Sequence, residues 1–199
     1  MVLESGSGWK VSADIDKEML LALYFRDLAA IEPMGAMSLA PLSPRVKPAA
    51  ARELSENAAG ELRQEWQSWW EQILANGQPT IDIHAEPDFP GFSDSPSLQH
   101  LLRAHYGNAY TWTQNRVGEY QDYCVDNTKE RLQLLAHLFA ERELEGKNLD
   151  DLHLKLVELP LAERRAWFVE PDTVILSQEL MRDATLFRSY LQPIIDLMT

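Results

Sequence analysis

The residues best suited to chemistry in this chain lie in one short acidic stretch, Asp82-Ile83-His84-Ala85-Glu86-Pro87-Asp88. Alternate side chains of an extended segment face the same way, so Asp82, His84, Glu86 and Asp88 can converge on a cation. One imidazole with several carboxylates suits zinc, manganese or iron. The corresponding activity is metal-dependent hydrolysis. Two features oppose it: Pro87 interrupts the segment, and neighbours along one strand rarely close a coordination sphere alone. A second element would have to supply a ligand, and nothing in the sequence places His100, His105 or His137 nearby. The alternative is a solvated acidic loop.

The other reactive side chains offer less. His100 and His105 are about 140° apart around a helix axis, whereas helical metal pairs sit three or four residues apart, as in HExxH, which is absent. His137 falls among Leu134, Leu135, Leu138 and Phe139, where a local hydrogen bond would satisfy it, and His153 takes the outward parity of a strand. Cys124 is the only cysteine, and a mid-helix position gives it neither a helix N-terminus nor a local base to lower its pKa. The chain contains no GxSxG, no GxxxxGK[ST] and no GxGxxG. Arg164 and Arg165 before Trp167 form its one adjacent basic pair, read here as a solvated turn. No residue set resembles a known family's motif closely enough for roles to be carried over.

Charge narrows the partners. Acids outnumber bases 31 to 18, a net of −13 over 199 residues, and both halves share the sign. Nucleic-acid affinity rests largely on neutralising phosphates with Lys and Arg, so nucleic acid is not the expected partner. The longest uncharged apolar run, Met19 to Phe25, is far short of the ~20 residues of a membrane span. The first ten residues carry an acid and no apolar stretch, unlike a secretory signal. With a single cysteine, these features point to the cytoplasm.

The elements that would position these groups are mostly helical. Residues 14–31 read as a helix apolar all round its axis and therefore buried all round, with Arg26 and Asp27 at the solvated rim of the core or, alternatively, a buried pair with a role in specificity. Four prolines in residues 32–48 make a connector. Residues 49–76 form a second helix, stopped by Asn76-Gly77, on which Leu62, Trp66, Trp69 and Ile73 share an arc of roughly 60° with Trp70 on its flank. That stripe is a core organiser, or alternatively an aromatic interface. Residues 77–97 are irregular. A helix from Pro96 ends near Gly107-Asn108, and another runs from about Tyr110 to Glu145, kinked or closely packed at Gly118. Tyr120, Tyr123, Cys124, Arg131, Leu134, Leu135 and Leu138 share about a third of its wheel. After residue 150 the period changes to two. Strands are expected at 152–157, 166–169 and 173–176, then a helix capped by Ser177, which Pro193 bends or ends.

The expected fold is therefore α+β, mainly α. It is a single domain over 1–199, with a helical body over about 12–148 and a β-β-β-α tail over about 150–199 that carries a small antiparallel sheet. The leading functional expectation is a non-enzymatic cytoplasmic interaction or regulatory protein. Its partner would be another protein or a second copy, with Trp66, Trp69 and Trp70 as interface candidates, no catalytic residues, no cofactor and no membrane. The alternatives are a hydrolase holding zinc or manganese on Asp82, His84, Glu86 and Asp88, and an acidic inhibitor of a basic toxin or nuclease.

Overall fold

The computed structural model describes residues 2–4, 8–32, 38–49, 56–76 and 87–198. The chain divides into two compact units. One is made of residues 1–16 and 117–199, the other of residues 17–116 inserted between them.

The first unit is built on a five-stranded sheet. Its strands are β1 (Val2–Glu4), β2 (Lys10–Asp14), β3 (His153–Leu159), β4 (Ala166–Val169) and β5 (Thr173–Ser177), in the spatial order β1-β2-β3-β5-β4. The outer pairs are antiparallel, while β2–β3 and β3–β5 are parallel. This corrects the expectation of a small antiparallel sheet confined to the C-terminal end. The broad α+β class stands, but the sheet is mixed and two of its strands come from the N-terminus. Strands of three and five residues are too short to show a period. The prolines at 160 and 171 suggest successive hairpins, yet β5 slots between β3 and β4 and runs parallel to β3.

Val11 and Ala13 of β2, Leu154 and Leu156 of β3, and Val174 and Leu176 of β5 share one face of this sheet. They pack with Leu135, Leu138 and Phe139 of α4 (Thr128–Leu144) and with Phe187, Leu191 and Ile195 of α5 (Ala184–Met198). Trp9 stacks on Phe139 at 4.6 Å and donates its indole N–H to Glu143 at 3.0 Å. The opposite parity of β3 and β5, with Val157, Leu159 and Ile175, is buried as well. Central parallel strands covered on both faces read as unbroken apolar runs. The two-residue period is therefore visible only in the first half of β3. Asp183, not Ser177, caps α5: its carboxylate accepts the Leu186 N–H at 3.0 Å. The helix continues through Pro193.

The second unit holds α1 (Lys17–Leu28), α2 (Glu56–Asn76) and the first part of α3 (Pro96–Asp126), whose residues from Val117 belong to the first unit. Its core is aromatic. Trp66 and Trp70 stack at 5.8 Å, and Trp69 meets Phe92 edge-on at 5.3 Å and Phe25 at 6.5 Å. The Trp66 indole N–H donates to the Ala22 carbonyl at 2.7 Å, locking α2 to α1. Glu65 on α2 accepts the Leu98 N–H at 2.7 Å and so satisfies an orphan donor in the first turn of α3.

α3 runs through both Gly107 and Gly118 without interruption, and the break comes instead at Asn127. Asn127 leaves helical geometry at φ −117°, ψ 19°, and its side-chain amide donates to the Tyr123 carbonyl at 2.9 Å. Nothing lies within 4 Å of where a Cβ on Gly118 would sit, so close packing does not explain this glycine. Gly118→Ala is therefore expected to stabilise the protein by about 1 kcal/mol, raising the melting temperature by about 2–4 °C. A thermal melt that falls would show that the residue serves something other than the helix.

Candidate functional site

The densest polar cluster among the described residues lies inside the first unit. Arg131 on α4 and Glu158 on β3 are 2% and 0% exposed. The sheet register gives Glu158 the parity of Leu154 and Leu156, so its carboxylate points into the apolar face that α4 covers. Arg131 meets it with both terminal nitrogens. Nη1 donates to Oε2 at 2.9 Å, and Nη2 makes a close contact with Oε1. The Tyr120 hydroxyl, from α3, donates to Oε1 at 3.2 Å and accepts from Arg131 Nη2 at 3.4 Å. The Tyr123 ring lies between two guanidinium groups, with Arg131 at 5.5 Å and Arg182 at 4.9 Å from its centroid. Arg131 Nε is buried without a hydrogen-bond partner.

The surroundings hold the protons of Tyr120 and Arg131. Burial pushes the Tyr120 hydroxyl up, helped by the Glu158 charge, so the phenol stays protonated and donates. Burial opposes the charge on Arg131, but the hydrogen bond and charge of Glu158 outweigh it and hold the guanidinium cationic. A general acid or base must change protonation near the operating pH. Tyr120 and Arg131 do not, so their arrangement ties α3 and α4 to β3 and moves no proton. Cys124, on the same helix as Tyr120, is half-buried. The signal for this cluster is in the sequence. Arg131 falls on the apolar third of its helix, and Glu158 interrupts an apolar run.

A second buried ion pair joins Arg26 and Asp27 in the second unit, with side chains 3% and 10% exposed. They do not meet water at the rim but form the buried pair of the alternative reading, and they clamp the proline-rich connector. Arg26 donates to the carbonyls of Leu39 and Ala40, each at 2.9 Å, and Asp27 accepts the Leu42 N–H at 2.8 Å. An extended backbone with few internal bonds needs such outside partners when buried.

Of the residues singled out in the acidic stretch, Asp82, His84 and Glu86 lie outside the described residues. Asp88 is described. Its side chain is 82% exposed and stands 3.7 Å from Arg103, a positive charge beside a would-be metal ligand. Its carbonyl accepts from Gln99 at 2.8 Å and Arg103 at 3.0 Å, pinning the end of the loop to α3. Among the described residues no group of three His, Cys, Asp or Glu side chains could hold a metal ion. His137 is exposed rather than set among its apolar neighbours, and His153 is exposed. Trp66, Trp69 and Trp70 are 1%, 2% and 3% exposed and lie inside the second unit.

One open cleft borders the first unit's sheet. Phe168 of β4, Glu170, Pro171, and Leu197 and Met198 of α5 line about 440 Å³. Glu170 is exposed, and Leu197 is 72% exposed. Among the described residues that line it, four are apolar and Glu170 supplies the charge. Among the described residues no helix is long and apolar enough to cross a membrane. No protein-family model matches this chain, and neither does any curated protein or solved structure.

Proposed function

We propose that the protein is a non-enzymatic cytoplasmic interaction protein whose partner is a basic protein. The distribution of charge carries this reading. Among the described residues the buried charged groups are Glu18, Arg26, Arg131 and Glu158, with Asp27 nearly so beside Arg26. These buried charges nearly cancel, so most of the described residues' negative charge belongs to the surface. Such a surface raises the encounter rate with cationic proteins and repels nucleic acid and further copies of itself. The apolar area of α1 and the α2 tryptophans is spent on the second unit's own core, which favours a charged contact over a greasy homodimer seam.

Affinity capture from the cell's own extract, at low salt and at about 0.5 M salt, tests the proposal. The expected result is one stoichiometric partner of opposite net charge, released as salt screens the contact. Absence of any basic partner, or one held equally well at high salt, overturns it. A rise in melting temperature with zinc or manganese would instead favour a metal-dependent hydrolase on the Asp82–Asp88 stretch.

A further inference from the structure

We propose that the outer edge of β4 and the cleft beside it bind an extended, basic segment of the partner protein, added as a further strand with a lysine or arginine side chain lodged against Glu170. The proposal rests on the basic-partner reading above and names the surface that carries it.

Backbone geometry supplies the first half. Among the described residues β4 is the last strand of the sheet and pairs only with β5. Ser177 donates its N–H to the Arg165 carbonyl at 3.0 Å, which fixes the phase of the ladder. Antiparallel pairing alternates, so Trp167 and Val169 turn their backbone groups toward β5, and Ala166 and Phe168 turn theirs outward. No described residue bonds to those outward groups. Natural edge strands are commonly blunted by lysine, proline or a bulge. The sequence Ala166-Trp167-Phe168-Val169 has none of these and is made largely of good strand formers. Adding a strand there satisfies the outward donors and acceptors, the mode by which sheets capture extended peptides.

The cleft supplies the side-chain preference. A long aliphatic stem can lie on Phe168, Leu197 and Met198 while its cationic head reaches the Glu170 carboxylate, the snorkelling arrangement natural to lysine and arginine. The cleft also sits at the C-terminal end of α5, where the helix dipole favours positive charge. Polarity along the edge follows. Arg164 and Arg165 stand exposed at the start of β4, with Arg165 over the Trp167 ring at 5.5 Å and 3.7 Å from Glu163. The basic residue of the ligand therefore belongs at the Glu170 end.

The test uses the full chain and a fluorescent seven-residue peptide alternating lysine with valine, with a control carrying glutamate for lysine. Two variants separate edge from cleft. Ala166→Pro deletes an outward N–H and leaves the β5 ladder bonds intact, and proline is tolerated at the first residue of an edge strand. Glu170→Lys reverses the charge in the cleft. The expected result is binding of the lysine peptide over the glutamate peptide, weakened about tenfold by either variant with the melting temperature unchanged. If Ala166→Pro unfolds, Glu170→Lys decides alone. Wild-type affinity in the folded variants overturns the site and leaves the basic-partner reading standing. Equal binding of the two peptides overturns the site and counts against that reading as well.

Discussion

Replacing Glu158 with alanine is expected to cost about 3–5 kcal/mol of stability, because it leaves the Arg131 guanidinium buried and uncompensated. Domains of this size are stable by only about 5–15 kcal/mol, so the variant approaches unfolding at ordinary temperature. Urea titration followed by circular dichroism measures the change. A loss below about 1 kcal/mol would mean that water reaches Arg131 and that the cluster is not the closed core described above. The companion experiment replaces both partners, Arg131→Met with Glu158→Leu. Burying two charges costs several kcal/mol each before their attraction returns it. Arg131 Nε, buried without a partner, shows that the return is incomplete. The double variant is therefore expected to recover most of what Glu158→Ala loses. Recovery would identify the pair as a device that fixes how α4 sits on β3 more than a net source of stability.

Trp66→Ala is the second large effect, at about 3–5 kcal/mol. The indole is 1% exposed, stacks on Trp70, and bonds the Ala22 carbonyl through its N–H. Alanine leaves a cavity between α1 and α2 and removes the bond that joins them. Trp66→Phe keeps an aromatic ring and loses the hydrogen bond, so its cost should be nearer 1–2 kcal/mol. Tryptophan fluorescence is weighted toward this unit, since Trp66, Trp69, Trp70 and Trp112 lie in it and Trp9 and Trp167 in the other. An alanine variant that unfolds at the wild-type urea concentration by fluorescence would refute the packing described for the second unit.

The sequence shows its helices where an apolar stripe is long, as on α2, and its strands where alternation or turn prolines frame them, as at 166–169 and 173–177. It hides β1 and β2, whose burial is decided by residues far along the chain. β2 pairs with β3, and no local pattern announces so distant a neighbour. Helix ends are misread for a related reason. Gly107-Asn108 looks like a stop, yet neighbouring packing carries α3 past it, and the break falls where Asn127 bonds back to Tyr123. At the candidate site, the wheel that places Arg131 beside Tyr120 already contains half of the buried cluster. The other half, Glu158, is a charge inside an apolar strand, a conflict that only a buried cation resolves. The cleft at Glu170 leaves no sequence mark, because it joins the end of β4 to the end of α5.

The insertion of residues 17–116 into the sheet-bearing unit sets a timetable during synthesis. β1 and β2 leave the ribosome well before β3, the neighbour that β2 needs, which is made only at residues 153–159. At ordinary translation rates the wait is on the order of ten seconds. The inserted helices are contiguous and can close during that interval. The edge of β2 that faces β3 must meanwhile stay unpaired without recruiting a stranger.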